Sequence, residues 1–326
     1  MLAALRYRWV QALVLILLAA LVTACSVMAP LYNRAVDQAM VAATLEKSTS
    51  SERGLRLSSG SSSQPVLSLS STALDDLVPD TIREYFEPPI AGSSVTVRRM
   101  PLLGEPEGRL LYRAGMCDHV RFVSGRCPAR AREIAITAAQ AKAYKQGVGA
   151  SVALGEFDGS VSRPEASPRA RMQITGIYEQ APAPYWFGEV LTGRSDQLLG
   201  FDAMLTPEAT LTEPADGPEA DLQLPWIEVH HSADLALRSD RVGADQIAAL
   251  GRSVDDLVKF PMGVDRAGTL AAATVTAGSE LPSIAREVAT GADQAGLTIP
   301  LLMAQLGLLL GCVLWLVLVA AADQRR

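Results

Sequence analysis

The chain has 326 residues, enough for one large domain or two small ones, and a formal net charge of −6. Hydrophobic residues make up 49% of it, and no block of basic residues interrupts the acidic balance. The charge pattern therefore excludes a basic arm of the kind that binds nucleic acid.

An apolar run comes first, over residues 9–31, with no charge between Arg8 and Arg34. About 23 residues, at about 1.5 Å rise each, can cross a hydrocarbon core of roughly 30 Å. Arg6 and Arg8 precede the run, so the positive-inside rule predicts a cytoplasmic amino terminus over residues 1–8. The run predicts a transmembrane helix over residues 9–31.

The same run allows a second interpretation. Val22-Thr-Ala-Cys25 followed by Ser26 fits the lipobox of a bacterial lipoprotein signal, which would make the protein a binding lipoprotein anchored through Cys25. The apolar run continues past Cys25 to Leu31, whereas a signal sequence usually stops near its cysteine. This continuation favours the transmembrane helix.

Residues 32–46 have helical periodicity, with Val36, Met40 and Ala43 on one face. A Ser- and Gly-rich stretch follows and predicts a loop. We assign residues 32–57 to a helical stalk that continues the first span outward, together with this loop.

Residues 58–270 predict an α+β domain outside the cytoplasm, whose core covers about residues 94–180. Strand-like runs separated by Gly/Pro turns predict strands, and Thr137 is a candidate N-cap for a helix over residues 138–146. The predicted strands are Ser94–Arg98, Arg109–Tyr112, His119–Val123, Glu133–Ile136, Ser151–Leu154 and Arg171–Tyr178.

The last part of the chain mirrors the first. After a predicted strand at Asp234–Leu237 and a predicted helix over residues 244–260, residues 271–298 predict a second stalk with Ser283 as its N-cap. The apolar run over residues 299–322 predicts a second transmembrane helix. Arg325 and Arg326 place the end of the chain, residues 323–326, in the cytoplasm.

The four cysteines divide between the two apolar runs and the middle of the chain. Cys25 and Cys312 lie in the runs, whereas Cys117 and Cys127 lie in the region expected outside the cytoplasm. Two cysteines in an oxidising compartment are most simply a disulfide, and a metal site would need two more ligands where only His119 is near.

The usual catalytic motifs are missing from the sequence. It contains no Gly-x-x-x-x-Gly-Lys-Ser/Thr, Gly-x-Ser-x-Gly, His-Glu-x-x-His or Ser-x-x-Lys. Glu228 and His230 would share one face of a strand, but no third metal ligand accompanies them, and the Asp75–Asp76 and Asp255–Asp256 pairs fit solvated helix faces. We therefore expect no enzyme, no catalytic residue, no metal and no cofactor.

Short motifs follow one another in a characteristic order from Val123 to Tyr178. A Gly125-Arg-Cys-Pro turn leads into Glu133-Ile-Ala-Ile-Thr137, then a short helix, then Val148–Leu154, and then Met172–Tyr178. This order resembles the extracytoplasmic domain of FtsX/MacB-like ABC transporter permeases of the high-GC Gram-positive type. Ala150 stands where that family has an acidic residue.

The resemblance implies a membrane protein in which two transmembrane α-helices flank an α+β extracytoplasmic domain with helical stalks. It implies a permease subunit, multi-pass in the plasma membrane, that couples a cytoplasmic ATPase to export or to cell-envelope regulation. The expected partners are a separate ABC ATPase chain, membrane lipid and a second copy or another permease half, with no nucleic acid. The chain ends at Arg326, where the family's coupling loop begins, so we expect a truncated permease.

A protein of another class would share the two-span pattern. A two-span sensor, or a polysaccharide co-polymerase, also places a domain between two transmembrane helices. A co-polymerase has long helices in that domain, whereas this sequence predicts strands interrupted by proline.

Overall fold

A computed structural model shows that the protein forms two compact units. One unit comprises residues 1–47, 242–251 and 283–326, and the other comprises residues 48–241 and 252–282. The described residues are 31–59, 77–99, 108–156, 169–192, 202–212, 229–259, 262–263 and 274–292, with isolated positions at 16, 20 and 74 and within 305–315.

The larger unit is built on a mixed sheet, in which the described residues form eleven strands. In chain order these are β1 (Leu55–Ser59), β2 (Ile90–Arg99), β3 (Gly108–Arg113), β4 (Val120–Gly125), β5 (Glu133–Thr137), β6 (Ser151–Glu156), β7 (Arg169–Gln180), β8 (Ala203–Leu205), β9 (His230–Leu235), β10 (Met262–Gly263) and β11 (Thr274–Gly278). The hydrogen-bonded order is β10–β11–β1–β9–β2–β3–β8–β5–β7–β4, and β6 pairs with both β2 and β7.

The described helices are mostly short. They cover residues 31–47, Ser50–Arg53, Asp80–Arg83, Ala138–Tyr144, Ala209–Thr212, Ala244–Lys259 and 281–292, with 3₁₀ turns at Met116–His119, Pro184–Trp186 and Ser239–Arg241. The six strands predicted between residues 94 and 178 are confirmed with small shifts of their ends. The strand predicted at Asp234–Leu237 is confirmed as β9, which begins four residues earlier.

The expected fold class, a membrane protein with two transmembrane helices, is wrong for this structure. Among the described residues, no helix is both long enough and apolar enough to cross a membrane. A span needs about 20 apolar residues, whereas Ala244–Lys259 has 16 residues with charges of both signs, and the helix over residues 31–47 contains Arg34 and Asp37. The runs 9–31 and 299–322, like Cys25, lie outside the described residues except for scattered positions.

The described residues form a sheet-based fold, and they do not support the terms membrane and transmembrane helix. Two of its strands also lie in the segments that the sequence assigned to stalks. β1 and β11 pair with each other in an antiparallel register, with Leu57 opposite Ala277. The helix over residues 281–292 begins ahead of Ser283, which lies within its first turn.

The smaller unit brings together the two helices nearest the ends of the described chain. The Cε atom of Met40 lies 2.4 Å from the position that a Cβ on Gly291 would occupy. Val41 and Leu45 are the buried residues of the first helix, whereas Ala43, which we expected on its apolar face, is exposed. A side chain at position 291 would have to displace the flexible end of Met40.

Strand β5 occupies the centre of the larger unit. It pairs in parallel with β7 and antiparallel with β8, and all five of its residues are buried. Ile134 and Ile136 lie in one hydrophobic cluster, whereas Ala135 lies in another that contains Tyr178 and Trp186. A strand buried on both faces explains why the sequence reads as an apolar run instead of an alternation.

The turn after β4 depends on glycine. Gly125 has φ of +76°, and a Cβ at this position would lie 2.1 Å from the carbonyl oxygen of Thr175. Gly149 has φ of +90°, but no heavy atom would lie within 4 Å of its Cβ. The two positions share a left-handed backbone and differ in the space around them.

We predict that Gly125→Ala lowers the free energy of unfolding by at least about 2 kcal/mol, because backbone strain adds to a clash with the neighbouring strand. Gly149→Ala, the matched control, should cost about 1 kcal/mol from backbone strain alone. Urea unfolding of both variants measures the difference. Equal losses would show that the close approach to Thr175 does not constrain the turn.

Candidate functional site: the disulfide loop and the buried ion-pair cluster

The segment that carries the family resemblance folds as one continuous piece of the sheet. β5 leads into the helix Ala138–Tyr144, whose N-cap Thr137 accepts a hydrogen bond of 3.0 Å from the backbone N–H of Gln140. The Gln140 side chain accepts one in return from the backbone N–H of Thr137, which completes a capping box. Lys145 ends the helix in a left-handed conformation, and β6 and β7 follow as an antiparallel pair.

The turn before β5 is held by one carboxylate. Glu133 accepts two hydrogen bonds from the Arg126 guanidinium, at 2.6 and 2.9 Å, and others from the backbone N–H groups of Ala129 and Arg130. Hydrogen bonding from Arg126 lowers the pKa of Glu133 to about 2 and outweighs the opposing effect of burial. The turn between β4 and β5 is thus fixed around an ionised side chain.

Cys117 and Cys127 form a disulfide, and their Cα atoms lie 5.9 Å apart. Cys117 lies in the 3₁₀ turn Met116–His119, before β4, and Cys127 follows β4. The bond therefore closes a loop whose main content is β4. On the loop-entropy model, a disulfide that closes so short a loop contributes about 2–3 kcal/mol.

Aromatic side chains hold the start of the disulfide loop. The rings of His119 and Tyr185 stack with centroids 3.7 Å apart, and the Trp186 indole N–H donates to the carbonyl oxygen of His119 at 3.1 Å. The Tyr185 hydroxyl donates to the carbonyl oxygen of Ala114 at 2.7 Å, and burial raises its pKa. Trp186 is itself buried.

An ion-pair cluster lies beside these aromatic residues. Asp234 has a fully buried side chain on β9 and accepts hydrogen bonds from Arg113 on β3 and from Arg56 on β1. Arg56 reaches it through Nε at 2.6 Å and Nη2 at 2.9 Å. Arg113 is also buried, and its guanidinium donates to the carbonyl oxygen of Tyr185 at 2.7 Å.

Glu189 extends the cluster toward the surface. It accepts from Arg56 at 3.0 Å and from Arg109 at 2.7 Å. Burial alone would raise its pKa, but the charges of Arg109 and Arg56 outweigh burial, so the pKa of Glu189 lies below its ordinary value. Three arginines thus share two carboxylates.

The sheet register explains why these side chains meet. Arg56 and Asp234 are direct partners in the antiparallel β1–β9 pair, and Asp234 also pairs with Ile90 on β2. Direct cross-strand partners lie about 5 Å apart at Cβ, within reach of a bidentate contact. β1, β3 and β9 therefore converge on one buried carboxylate.

A second buried polar pair lies on β2 and β9. Ser93 and His231 are opposite each other in the register and share a hydrogen bond of 2.8 Å between Oγ and Nδ1. The Nε2 atom of His231 is buried and has no hydrogen-bond partner among the residues that the structure describes. Burial, aided by the nearby His230, lowers the pKa of His231, so the ring is neutral in the folded protein.

The residues weighed for metal binding do not converge. His230 is exposed whereas its neighbour His231 is buried, Asp255 pairs with Lys259 on its own helix, and Glu228, Asp75 and Asp76 lie outside the described residues. Within the part of the chain that the structure describes, no three His, Cys, Asp or Glu side chains are placed to hold a metal ion.

Sequence analysis missed the ion-pair cluster. Its members come from three strands and a loop that are distant in the chain, so no local motif unites them. One signal was present: Asp234 interrupts the apolar pattern of Ala233-Asp-Leu235 within a predicted strand. A charged residue in such a position indicates a buried partner of opposite charge.

Comparison with solved structures finds distant neighbours. The fold is similar to a solved domain of a "putative Permease protein" from Porphyromonas gingivalis, with a TM-score of 0.32 and 12% sequence identity over 69% of this chain and 90% of that chain. No protein-family model matches the sequence, and no curated protein matches it. A likeness this weak assigns no function, so the proposal below is argued from the residues.

We predict that Asp234→Asn lowers the free energy of unfolding by about 3–5 kcal/mol, because it leaves buried Arg113 without a balancing charge. Asp255→Asn, which removes the partner of exposed Lys259, is the matched control and should cost less than about 0.5 kcal/mol. Urea unfolding compares the two. Similar small losses in both variants would mean that the cluster contributes no more than a surface ion pair.

We also predict a stability change with pH that originates at His231. The unfolded chain, with a histidine pKa near 6.5, takes up a proton that the folded state resists, so stability is full above about pH 7 and falls as the pH drops through 6.5. The slope should reach at most about 1.4 kcal/mol per pH unit.

Urea unfolding between pH 5 and pH 8 measures this slope. His231→Gln should flatten it, because glutamine does not titrate. His230→Gln, one residue away and exposed, should retain most of the slope, because burial is the larger cause of the lowered pKa of His231. A slope that survives in the His231 variant would assign the effect to another group.

Proposed function

We propose that this chain is a non-catalytic component of a permease system, with its folded sheet outside the cytoplasm and a separate ABC ATPase chain as its partner. In this proposal the protein catalyses no reaction and binds no metal or cofactor. Its work is mechanical and interfacial, and it acts with a second copy or with another permease half.

The observation that carries the proposal is the order of elements in the segment of family resemblance. The turn at Gly125, the strand Glu133–Thr137, the capped helix Ala138–Tyr144 and the strands β6 and β7 follow as the permease motifs imply. The motifs thus coincide with structural boundaries: a left-handed glycine, an N-cap and a strand buried on both faces. Agreement between the permease motifs and the structural boundaries supports an architecture shared with these permeases. A chance similarity of short motifs would not produce this agreement.

The disulfide supports a location outside the cytoplasm. Reducing systems keep cytosolic thiols free, whereas the bond between Cys117 and Cys127 closes a loop at the edge of the sheet. The bond lies next to the stacked rings of His119 and Tyr185, and the two together hold the start of β4. Reduction would remove one of these two constraints.

The paired helices of the smaller unit support a mechanical role. The helix over residues 31–47 and the helix over residues 281–292 meet at Met40 and Gly291, although they lie at opposite ends of the described chain. Two adjacent helices can shift against each other as rigid bodies, which makes them suited to relay a movement.

Two measurements in cells of the source organism test this proposal. A tagged chain is cross-linked in intact cells and purified, and its partners are identified by mass spectrometry. We expect an ATPase subunit with a P-loop motif. Intact cells are also treated with a membrane-impermeant phosphine and then with a membrane-impermeant maleimide, and we expect labelling at Cys117 and Cys127 only after the phosphine.

A cytoplasmic protein with exposed cysteines is the control for the second measurement and should remain unlabelled. Labelling of Cys117 and Cys127 only after cell lysis would contradict the location. Repeated purification without any ATPase, from cells that show the expected labelling, would contradict the permease role while leaving the location intact.

A further inference from the structure

We propose that the outer edge of β4 is a docking site for an extended acidic peptide segment of a partner protein, which adds to the sheet as a further strand. We call this surface the β4 edge and define it as Val120–Gly125 with Arg126, Arg130 and Val148 beside it. The proposal goes beyond the permease role and holds whether or not that role is correct.

The topology leaves β4 at the end of the described sheet. Its partner among the described strands is β7, in an antiparallel register that runs from Val120 opposite Gln180 to Gly125 opposite Gly176. An edge strand directs every second pair of backbone N–H and C=O groups away from its neighbour. Val123 lies in a register shift between Phe122 and Ser124 and has no partner in β7.

The register shift at Val123 is one of the devices that protect natural edges, but the strand lacks the others. Lysine, proline and inward charges usually blunt such strands, whereas β4 reads Val-Arg-Phe-Val-Ser-Gly and favours β structure. Its one charged residue, Arg121, is neutralised by Glu179 on β7. Val123 is 53% exposed, an apolar side chain on an accessible edge.

The β4 edge is also held rigidly. The Cys117–Cys127 disulfide joins the segments on either side of the strand, and Arg126 donates its backbone N–H to the carbonyl oxygen of Thr175 at 2.9 Å. A strand that is already ordered loses little conformational entropy when a peptide pairs with it. The backbone of β4 therefore favours addition of a peptide strand, and the surrounding side chains supply the selectivity.

The surrounding charge selects the partner. Residues 120–155 contain six basic side chains and one acidic side chain, Glu133, in a protein of net charge −6. Glu133 is already neutralised by Arg126. Arg121 is paired with Glu179, so four basic residues of this stretch remain, and three of them are exposed: Arg130, Lys142 and Lys145. Val148 lies beside Gly125, where its Cγ2 atom would be 2.8 Å from an added Cβ.

An acidic peptide complements this surface, whereas a second copy does not. Pairing β4 with β4 of another chain would bring two basic segments together, which costs free energy through like-charge repulsion. The charge balance therefore favours an acidic strand from a partner protein over self-association.

The probe is a fluorescein-labelled, end-capped peptide of eight residues that alternates valine and glutamate, added to the full chain with its disulfide intact. Fluorescence anisotropy should show binding that weakens at least threefold between 50 and 300 mM NaCl, because rim charges are screened. A valine–lysine peptide of equal length should bind at least tenfold more weakly. Hydrogen exchange should slow at the amides of β4 on binding.

Two variants of Val123 separate backbone pairing from side-chain contact. Val123→Pro removes a backbone N–H at a residue without a partner in β7, and should weaken binding at least tenfold. Val123→Thr keeps the N–H and the branched shape, and should bind within about twofold of the parent. The melting temperature of each variant reports whether the fold is intact.

Reversing the charge of Arg130 tests the basic side chains beside β4 independently of backbone pairing. Arg130→Glu should weaken binding of the valine–glutamate peptide about threefold, and the matched control Arg252→Glu, on the helix Ala244–Lys259, should leave binding unchanged. This pair of variants keeps the proposal testable if Val123→Pro fails to fold.

Several results would overturn the proposal. Absence of binding at millimolar peptide, equal binding of the lysine peptide, or slowed exchange on a strand other than β4 would each do so. Concentration-dependent dimerisation that is abolished by Val123→Pro would show that a second copy occupies the β4 edge instead.

Discussion

The larger unit depends on a buried carboxylate held by two guanidinium groups. Asp234 is removed from water on β9, and isolated burial of its charge would cost several kcal/mol. Arg113 and Arg56 offset that cost only if β1, β3 and β9 are in register. The cluster therefore constrains the pairing of strands that are far apart in the chain, and a shift of one residue in any of them would separate the charges.

The same cluster is connected to the surface through the loop after β7. Arg113 binds the carbonyl oxygen of Tyr185, Tyr185 stacks on His119, and His119 lies two residues from Cys117. The disulfide then closes around β4 at the edge of the sheet. A continuous set of contacts thus links the buried charge with the most accessible strand, which explains how an edge strand without another described neighbour can be well ordered.

Sequence analysis succeeded where the determinants are local. The N-cap at Thr137 and the strand Glu133–Ile136 follow from neighbouring residues, and the structure has both. It failed where the determinants are distant: the partners of Asp234 and the Ser93–His231 pair depend on register between strands. The transmembrane prediction rested on the hydropathy of residues 9–31 and 299–322 and on the arginines beside them, and among the described residues no helix is long and apolar enough to cross a membrane.

A double-mutant cycle on Arg113 and Asp234 tests the central claim most directly. The free energy of unfolding is measured for the parent, for Arg113→Met, for Asp234→Asn and for the double variant. If the buried pair organises the sheet, the coupling energy should be about 2–3 kcal/mol, with the double variant less destabilised than the sum of the single ones. A coupling energy below about 0.5 kcal/mol would contradict the account, because it would mean that the two side chains contribute independently to the fold.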